Sequence, residues 1–255
     1  MSWALVTGAS SGMGLIYARQ LAGKGYDILA VSNQEEELQK VTSDIIRDYN
    51  VNAVALYRDL AAVGAAESLA AYCDEQGMQV DILINNAGMF FFKELGPEDI
   101  KKVGTMMELH MKAPTELCLM FGDRMKQRGH GFILIVSSMA AELPTPGITI
   151  YAATKAYLKN FGKSLSFEMR PYGVGVTTVC PAAIATPLYN LSPGLMKFGV
   201  KIGVINTPEW LVKKALKAMF RKKPVLRPGF MNIYLPPLIA LLPRCIEDKI
   251  WKKIK

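Results

Sequence analysis

The sequence has few of the residues that build metal sites and disulfide frameworks. Its 255 residues include 4 cysteines and 2 histidines, and the cysteines, at Cys73, Cys118, Cys180 and Cys245, are far apart. No CxxC pair or Cys/His cluster occurs, so we expect neither a metal site nor a disulfide-stapled fold. Cys180 lies in an apolar strand pattern and is predicted to be a buried free thiol. This cysteine usage favours a reducing, cytoplasmic environment.

Long apolar runs are also lacking. The longest one near the C terminus, residues 233–242, contains Pro236 and Pro237. It is shorter than the roughly 20 residues that a membrane-spanning helix needs. An apolar strand pattern begins at about Trp3, so no secretory leader is expected.

The net charge of +8 is concentrated at one end of the chain. Residues 211–255 carry 12 basic and 2 acidic residues, whereas the remainder carries 18 basic and 20 acidic residues. The basic character therefore belongs to the C-terminal part. No nucleic-acid-binding module accompanies it, so we expect no nucleic-acid partner.

Hydrophobic residues make up 51% of the chain, and short apolar runs alternate with helical patterns. Such alternation predicts an α/β fold with a Rossmann-type, doubly wound parallel sheet of about seven strands and helices on both faces. We predict one domain over residues 1–228 and a C-terminal amphipathic extension over residues 229–255. The predicted strands are 3–7, 28–32, 53–57, 80–85, 132–136, 174–180 and 225–227. The predicted helices are 12–24, 34–49, 97–108, 113–128 and a last one that carries Tyr151 and runs to about residue 170.

Tyr151 and Lys155 are the first candidates for chemistry. Residues four apart on a helix share one face. A phenol has a pKa of about 10, and a neighbouring ammonium lowers it, so such a pair can exchange a proton near neutral pH. An amphipathic helix that happens to carry both residues is the alternative interpretation.

Three further motifs lie at the carboxyl ends of predicted strands, where ligands bind in doubly wound folds. Ser138 follows the fifth strand and precedes Tyr151 by 13 residues. The stretch Thr7-Gly-Ala-Ser-Ser-Gly-Met-Gly14 follows the first strand, and Asn85-Asn-Ala-Gly88 ends the fourth. In isolation, the first glycine stretch could be an ordinary loop, and Ser138 could cap a turn.

Together these motifs resemble the short-chain dehydrogenase/reductase family, over about residues 3–227. The resemblance implies a nicotinamide-dependent oxidoreductase that interconverts a carbonyl and an alcohol. Tyr151 would exchange the proton, Lys155 would lower the pKa of the phenol and hold the nicotinamide ribose, and Ser138 would orient the carbonyl. The implied cofactor-binding residues are Gly8, Ser10, Ser11, Gly12, Met13, Gly14, Ser32, Asn33, Asp59, Leu60, Asn86, Ala87, Gly88, Tyr151, Lys155, Pro181, Ile184 and Thr186.

The end of the second strand bears on the choice of cofactor. NAD-preferring members of the family have an aspartate where this chain has Ser32, so a carboxylate that would repel a 2′-phosphate is missing. Asn33 and Ser11 stand where many NADP-dependent members have basic residues. Hydroxyl and amide donors could still hold a phosphate, and we expect NADP(H) to be favoured over NAD(H).

His110 departs from the family pattern. Most members have an asparagine at this position, which takes part in a proton relay. Histidine can donate and accept hydrogen bonds and could order a relay water. It could equally be a structural residue, with a local change in the helix.

The substrate side is apolar. Residues 143–151 resemble branches that include long-chain 3-ketoacyl-CoA reductases and 17β-hydroxysteroid dehydrogenases. The loop 188–204 is predicted to cover a hydrophobic substrate such as a steroid or fatty-acyl ketone, although it could merely pack on the protein. Additional apolar wall is predicted from Met89, Phe90, Phe91, Phe92 and Met139.

The extension 229–255 places Ile246, Ile250, Trp251 and Ile254 on one helical face among lysines. Such a helix could lie on an anionic membrane surface or act as a dimer arm. The family resemblance implies a homo-oligomer, either a dimer or a tetramer. The alternative to an active enzyme is a weakly catalytic NADP-binding protein with a regulatory or membrane-surface role.

Overall fold

The computed structural model describes residues 2–142, 145–182, 184, 194, 205–229, 232 and 234. Seven parallel strands form one sheet in the order β3-β2-β1-β4-β5-β6-β7. The strands are β1 (Trp3–Thr7), β2 (Asp27–Ser32), β3 (Ala53–Tyr57), β4 (Val80–Asn85), β5 (Gly131–Val136), β6 (Val174–Val179) and β7 (Val225–Leu226). The predicted Rossmann-type sheet and its strand count are confirmed.

Helices connect the strands and cover both faces of the sheet. They are α1 (Gly12–Ala22), α2 (Glu35–Tyr49), α3 (Ala65–Glu75), α4 (Ile100–Met107), α5 (Ala113–Arg128), α6 (Thr149–Met169) and α7 (Pro208–Phe220). Sequence analysis missed α3 and α7. A five-residue π-helix, Glu108–Lys112, joins α4 to α5 and contains His110.

The alternation of side chains along each strand creates two cores. Ala4 and Val6 face the core under α1, α2 and α7, while Leu5 faces the core under α3, α5 and α6. Burying a side chain such as Leu5 stabilises the fold by roughly 1.5–3 kcal/mol. Because both faces are covered, the strands read as continuous apolar runs in the sequence.

The strand order places the reversal of the sheet between β1 and β4. The chain winds outward through β2 and β3 on one side and through β5, β6 and β7 on the other. Loops at the carboxyl ends of β1 and β4 therefore diverge and leave a crevice, which is where such folds bind ligands.

Cys73, Cys118 and Cys180 are buried free thiols, as predicted for Cys180, and Cys245 lies outside the described residues. Asn232 is buried and donates a hydrogen bond from Nδ2 to the Cys180 carbonyl oxygen at 2.9 Å.

The rest of the predicted extension after Gly229 is not described, except for Tyr234. Within the part of the chain that is described, no helix has the length and apolar character to cross a membrane.

Gly162 allows α6 to approach the sheet closely. A Cβ there would lie 2.2 Å from Thr178 Oγ1 and 3.0 Å from Ile135 Cδ1. We expect Gly162→Ala to lower the free energy of unfolding by roughly 1–3 kcal/mol, because overpacking forces neighbouring groups apart. Gly104→Ala on α4 is the control, since a Cβ there meets nothing within 4 Å. It should stabilise the protein by up to about 1 kcal/mol through helix propensity. Denaturant unfolding measures the free energy of unfolding of both variants. Equal changes in the two would contradict the close packing of Gly162.

Candidate active site

A cavity of about 550 Å³ lies along the carboxyl ends of the strands. It brings together residues from six loops that are distant in the sequence. Of the residues named from the sequence, it is lined by Gly8, Ser10, Ser11, Gly12, Met13, Ser32, Asn33, Asp59, Leu60, Asn86, Ala87, Gly88, Met89, His110, Ser138, Tyr151, Lys155, Pro181 and Ile184. Gly14 does not line the cavity, and Thr186 lies outside the described residues.

The glycine loop is shaped by close contact with the loop after β4. Gly8 has a φ of +66°, and a Cβ on Gly14 would lie 2.0 Å from the Gly8 carbonyl oxygen. Asn86 Nδ2 donates to the Thr7 carbonyl oxygen at 3.0 Å. Gly14 therefore serves the packing of the loop, which explains why it is absent from the cavity wall.

Helix α6 is held against β5 by two hydrogen bonds around Lys155. Lys155 Nζ donates to the Val136 carbonyl oxygen at 3.0 Å, and Ser137 Oγ donates to the Lys155 carbonyl oxygen at 2.6 Å. Lys155 is buried, and burial lowers its pKa to about 8, with a smaller opposing effect from Cys180. A buried amine of this kind is poised to gain or lose its proton near neutral pH.

Tyr151 lies one turn before Lys155 on the wall of the same cavity. Its ring meets the Phe90 ring edge to face at a centroid distance of 5.0 Å, and the His110 ring at 5.8 Å. Lys155 Nζ lies 5.6 Å from the centre of the Tyr151 ring. These contacts fix the direction of the phenol from three sides.

Ser138 is oriented by the turn that follows β5. Its Oγ accepts a hydrogen bond from the Ala140 N–H at 3.1 Å. The Met139 N–H donates to the Pro181 carbonyl oxygen at 2.8 Å, which ties this turn to the loop after β6. Because Ser138 Oγ already accepts a backbone N–H, its own hydrogen can be directed at a ligand oxygen.

His110 is buried, and both of its ring nitrogens are engaged. The Met89 N–H donates to His110 Nε2 at 2.9 Å, and His110 Nδ1 lies 3.0 Å from Thr154 Oγ1. Thr154 donates its hydroxyl hydrogen to the Tyr151 carbonyl oxygen at 2.9 Å. Thr154 must then accept from Nδ1–H, so the imidazole is neutral with the proton on Nδ1.

These bonds decide between the two roles left open for His110. The imidazole has no remaining donor or acceptor for a relay water, so its role is structural. It joins the loop after β4 to α6 across the π-helix, which is the local helix change that the bulkier side chain suggested. Burial, followed by the charge of Lys155, lowers the pKa of His110 well below 6.5.

Several cavity residues were missed by sequence analysis: Gln34, Arg58, Ala61, Thr105, Leu109, Val136 and Ser137. Arg58 stands directly after β3, where strand pairing predicts a position beside Ser32, so the signal was present. Of the apolar residues expected on the substrate side, Met89 lines the cavity. Most of the predicted lid, 188–204, lies outside the described residues.

The neutral state of His110 gives a pH-dependent stability. The unfolded chain protonates this residue below about pH 6.5, whereas the folded chain resists protonation. His110 therefore destabilises the native state increasingly as the pH falls below that value, by up to about 1.4 kcal/mol per pH unit.

We expect His110→Asn to be less stable than the wild type at pH 7.5, and the gap to narrow toward pH 5.5. Urea unfolding at both values measures the gap. The control is His130→Asn, which removes the exposed second histidine. The difference in unfolding free energy between this variant and the wild type should not shrink toward pH 5.5. A gap between His110→Asn and the wild type that stays constant with pH would contradict the assignment.

Residues 2–193 match the family described as short chain dehydrogenase. The human very-long-chain 3-oxoacyl-CoA reductase is 32% identical over 225 residues, which cover 85% of this chain and 68% of that protein.

Two solved structures are each 27% identical to this chain. A short-chain dehydrogenase from Sphingobium yanoikuyae in complex with NADPH superposes with a TM-score of 0.80, covering 95% of this chain and 97% of that one. The bulky-bulky ketone specific alcohol dehydrogenase from Comamonas testosteroni gives 0.79, covering 95% of each. Family match, identity and fold agree with the resemblance read from the motifs, and the chain belongs to the short-chain dehydrogenase family of oxidoreductases.

Proposed function

We propose that this protein is an NADP(H)-dependent oxidoreductase that interconverts a carbonyl and an alcohol on a hydrophobic substrate, with Ser138, Tyr151 and Lys155 as catalytic residues. The observation that carries the proposal is that one continuous cavity is lined both by these three side chains and by the glycine loop. A cofactor bound along the loop would thus end beside the phenol.

The cavity fits a dinucleotide in its shape and its unpaired groups. Backbone N–H groups at the start of α1, near Ser11 and Gly12, suit a pyrophosphate. Two buried polar atoms on the cavity wall, Asn86 Oδ1 and Arg58 Nε, have no hydrogen-bond partner among the described residues. The unpaired acceptor, Asn86 Oδ1, suits a ribose hydroxyl, and the unpaired cationic donor, Arg58 Nε, suits a phosphate oxygen.

The nicotinamide supplies or takes the hydride when it is bound. The chain itself would handle the proton and the orientation. Ser138 Oγ–H donates to the carbonyl oxygen, and Tyr151 delivers the proton to that oxygen during reduction or removes it during oxidation. The Lys155 ammonium favours the phenolate that is left behind.

A large apolar substrate is supported by the names of two similar proteins. One relative is called a very-long-chain 3-oxoacyl-CoA reductase, and one structural neighbour is called bulky-bulky ketone specific. The described cavity wall includes the apolar side chains of Met89 and Leu109. We therefore propose long-chain 3-oxoacyl thioesters and bulky ketones as the first substrates to assay.

Replacing Tyr151 tests the catalytic proposal directly. Purified wild-type protein should oxidise NADPH with such a ketone, and Tyr151→Phe should lower kcat by a factor of about 10²–10⁴, because it loses the proton donor. Tyr157→Phe is a matched control on the same helix, since the Tyr157 hydroxyl bonds Thr115 at 2.9 Å and does not line the cavity. Its activity should stay within about threefold of wild type.

NADPH binding, followed by fluorescence, separates the outcomes. Both tyrosine variants should bind NADPH, so a lost activity is a lost chemical step. Equal turnover in Tyr151→Phe and wild type would refute the proton-donor role. Tight NADPH binding without turnover across a broad ketone panel would instead favour the weakly catalytic alternative.

We further propose a cytoplasmic homo-oligomer with peripheral membrane contact through residues 229–255. Exposed Leu119 on α5 and Phe167 on α6 support subunit contacts, and the lysine-flanked apolar face of the extension supports membrane contact.

Deleting residues 235–255, which spares buried Asn232, should abolish co-sedimentation with anionic vesicles and leave the native mass in light scattering unchanged. If the extension is a dimer arm, the mass will fall and sedimentation with neutral and anionic vesicles will not differ.

A further inference from the structure

Arg58 stands at the end of the cavity that is formed by the loops after β2 and β3. Its backbone N–H donates to the Ser32 carbonyl oxygen at 2.8 Å, which continues the pairing of β2 with β3 by one residue. The side chain lines the cavity together with Ser32 and Asn33. Arg58 therefore lies beside the strand end that meets the adenosine ribose in this fold.

The guanidinium of Arg58 has no protein partner in the described structure. Its Nε is buried without a hydrogen-bond partner, and no ion pair or side-chain hydrogen bond joins it to another described residue. A guanidinium stays charged and presents a planar fork of donors. Leaving a buried charged donor unsatisfied is costly, so the arrangement favours an anion as its partner.

The Ser10 and Ser32 hydroxyls do not serve that anion as donors. Ser10 Oγ donates to Gln34 Oε1 at 2.7 Å, and Ser32 Oγ lies 2.9 Å from Ser10 Oγ. Because the Ser10 hydrogen is used on Gln34, the Ser32 hydroxyl must donate to Ser10. The hydroxyl hydrogens of Ser10 and Ser32 are thus already engaged. Ser11 and Asn33, which stand where many NADP-dependent members have basic residues, are uncharged, so Arg58 is the cation among the described residues on this stretch of the wall.

The acidic groups nearby do not neutralise Arg58. Glu35, Glu36 and Glu37 begin α2 but are exposed and do not line the cavity. The Asp59 carboxylate lines the cavity and accepts the Ala61 N–H at 3.0 Å, without an ion pair to Arg58.

We propose that Arg58 binds the 2′-phosphate of NADP(H) and sets the preference of this protein for NADP(H) over NAD(H). The inference rests on the proposed function above. A guanidinium matches a phosphate with two parallel hydrogen bonds, whereas the 2′-hydroxyl of NAD offers no anion.

Calorimetric titration tests the proposal without any turnover. The probes are NADP⁺ against NAD⁺, and the fragments 2′,5′-ADP against 5′-AMP, which differ only in the 2′-phosphate. We expect wild type to bind the 2′-phosphorylated member of each pair at least about tenfold more tightly. In Arg58→Gln this preference should fall by a factor on the order of ten. The dissociation constants of NAD⁺ and 5′-AMP should stay within about twofold of the wild-type values.

Two further variants keep the result interpretable. Arg58→Lys retains charge without the fork and should keep part of the preference. Arg221→Gln, an exposed arginine outside the cavity wall, should keep all of it, and thermal melting identifies any variant that has not folded.

If Arg58→Gln weakened the binding of both members of each pair equally, Arg58 would contact the adenine, and the proposal would be overturned. A retained preference in Arg58→Gln would also overturn it while leaving the proposed cofactor intact. A wild type without preference would reject both NADP(H) selectivity and this role, whereas ketone reduction with NADH would leave the oxidoreductase assignment standing.

Discussion

One buried ammonium, Lys155 Nζ, determines how helix α6 meets the sheet. It lies out of water without a carboxylate partner among the described residues, and its hydrogen bond is to the last carbonyl of β5. Burial disfavours the charged form, while a carbonyl oxygen at hydrogen-bonding distance favours it. The bond, with the one from Ser137 to the Lys155 carbonyl, holds α6 in one register and thereby places Tyr151 on the cavity wall.

The sheet order divides the cavity into two chemically different halves. Loops after β1, β2 and β3 form the half with Ser10, Ser32 and Arg58, where hydroxyls, an amide and a guanidinium are gathered. Loops after β4, β5 and β6 form the half with Ser138 and Tyr151. Because parallel strands end at one edge, the groups proposed to bind the cofactor and those proposed to react share a single cavity, although they come from opposite sides of the reversal in the sheet.

The histidine at the start of this reacting half shows how a departure from a family pattern can be absorbed. A longer side chain than asparagine is accommodated where α4 and α5 are joined by a π-helix, and π-turns inside helices often occur near functional sites. The neutral imidazole adds no charge beside Lys155. It spans from the loop after β4 to Thr154, so the geometry around Tyr151 depends on a residue whose nitrogens do not face a ligand.

Much of the fold and the reacting half followed from local pattern. Seven apolar runs predicted seven strands, because strands buried on both faces must be apolar throughout. The spacing of Tyr151 and Lys155 predicted a shared helical face, since that geometry is local. Helix α3 was missed in a stretch rich in alanine, where the apolar and polar faces of a helix are poorly distinguished.

The order of the seven strands, the candidate catalytic trio and the position of the glycine loop followed from the sequence alone, because each depends on neighbours along the chain. The role of His110 and the surroundings of Arg58 became visible only once the chain was folded. Both depend on which distant groups lie at hydrogen-bonding distance. Met89 and Thr154 engage the two ring nitrogens of His110, while Ser10 donates to Gln34 and Ser32 donates to Ser10. No spacing along the chain reveals whether a donor already has a partner.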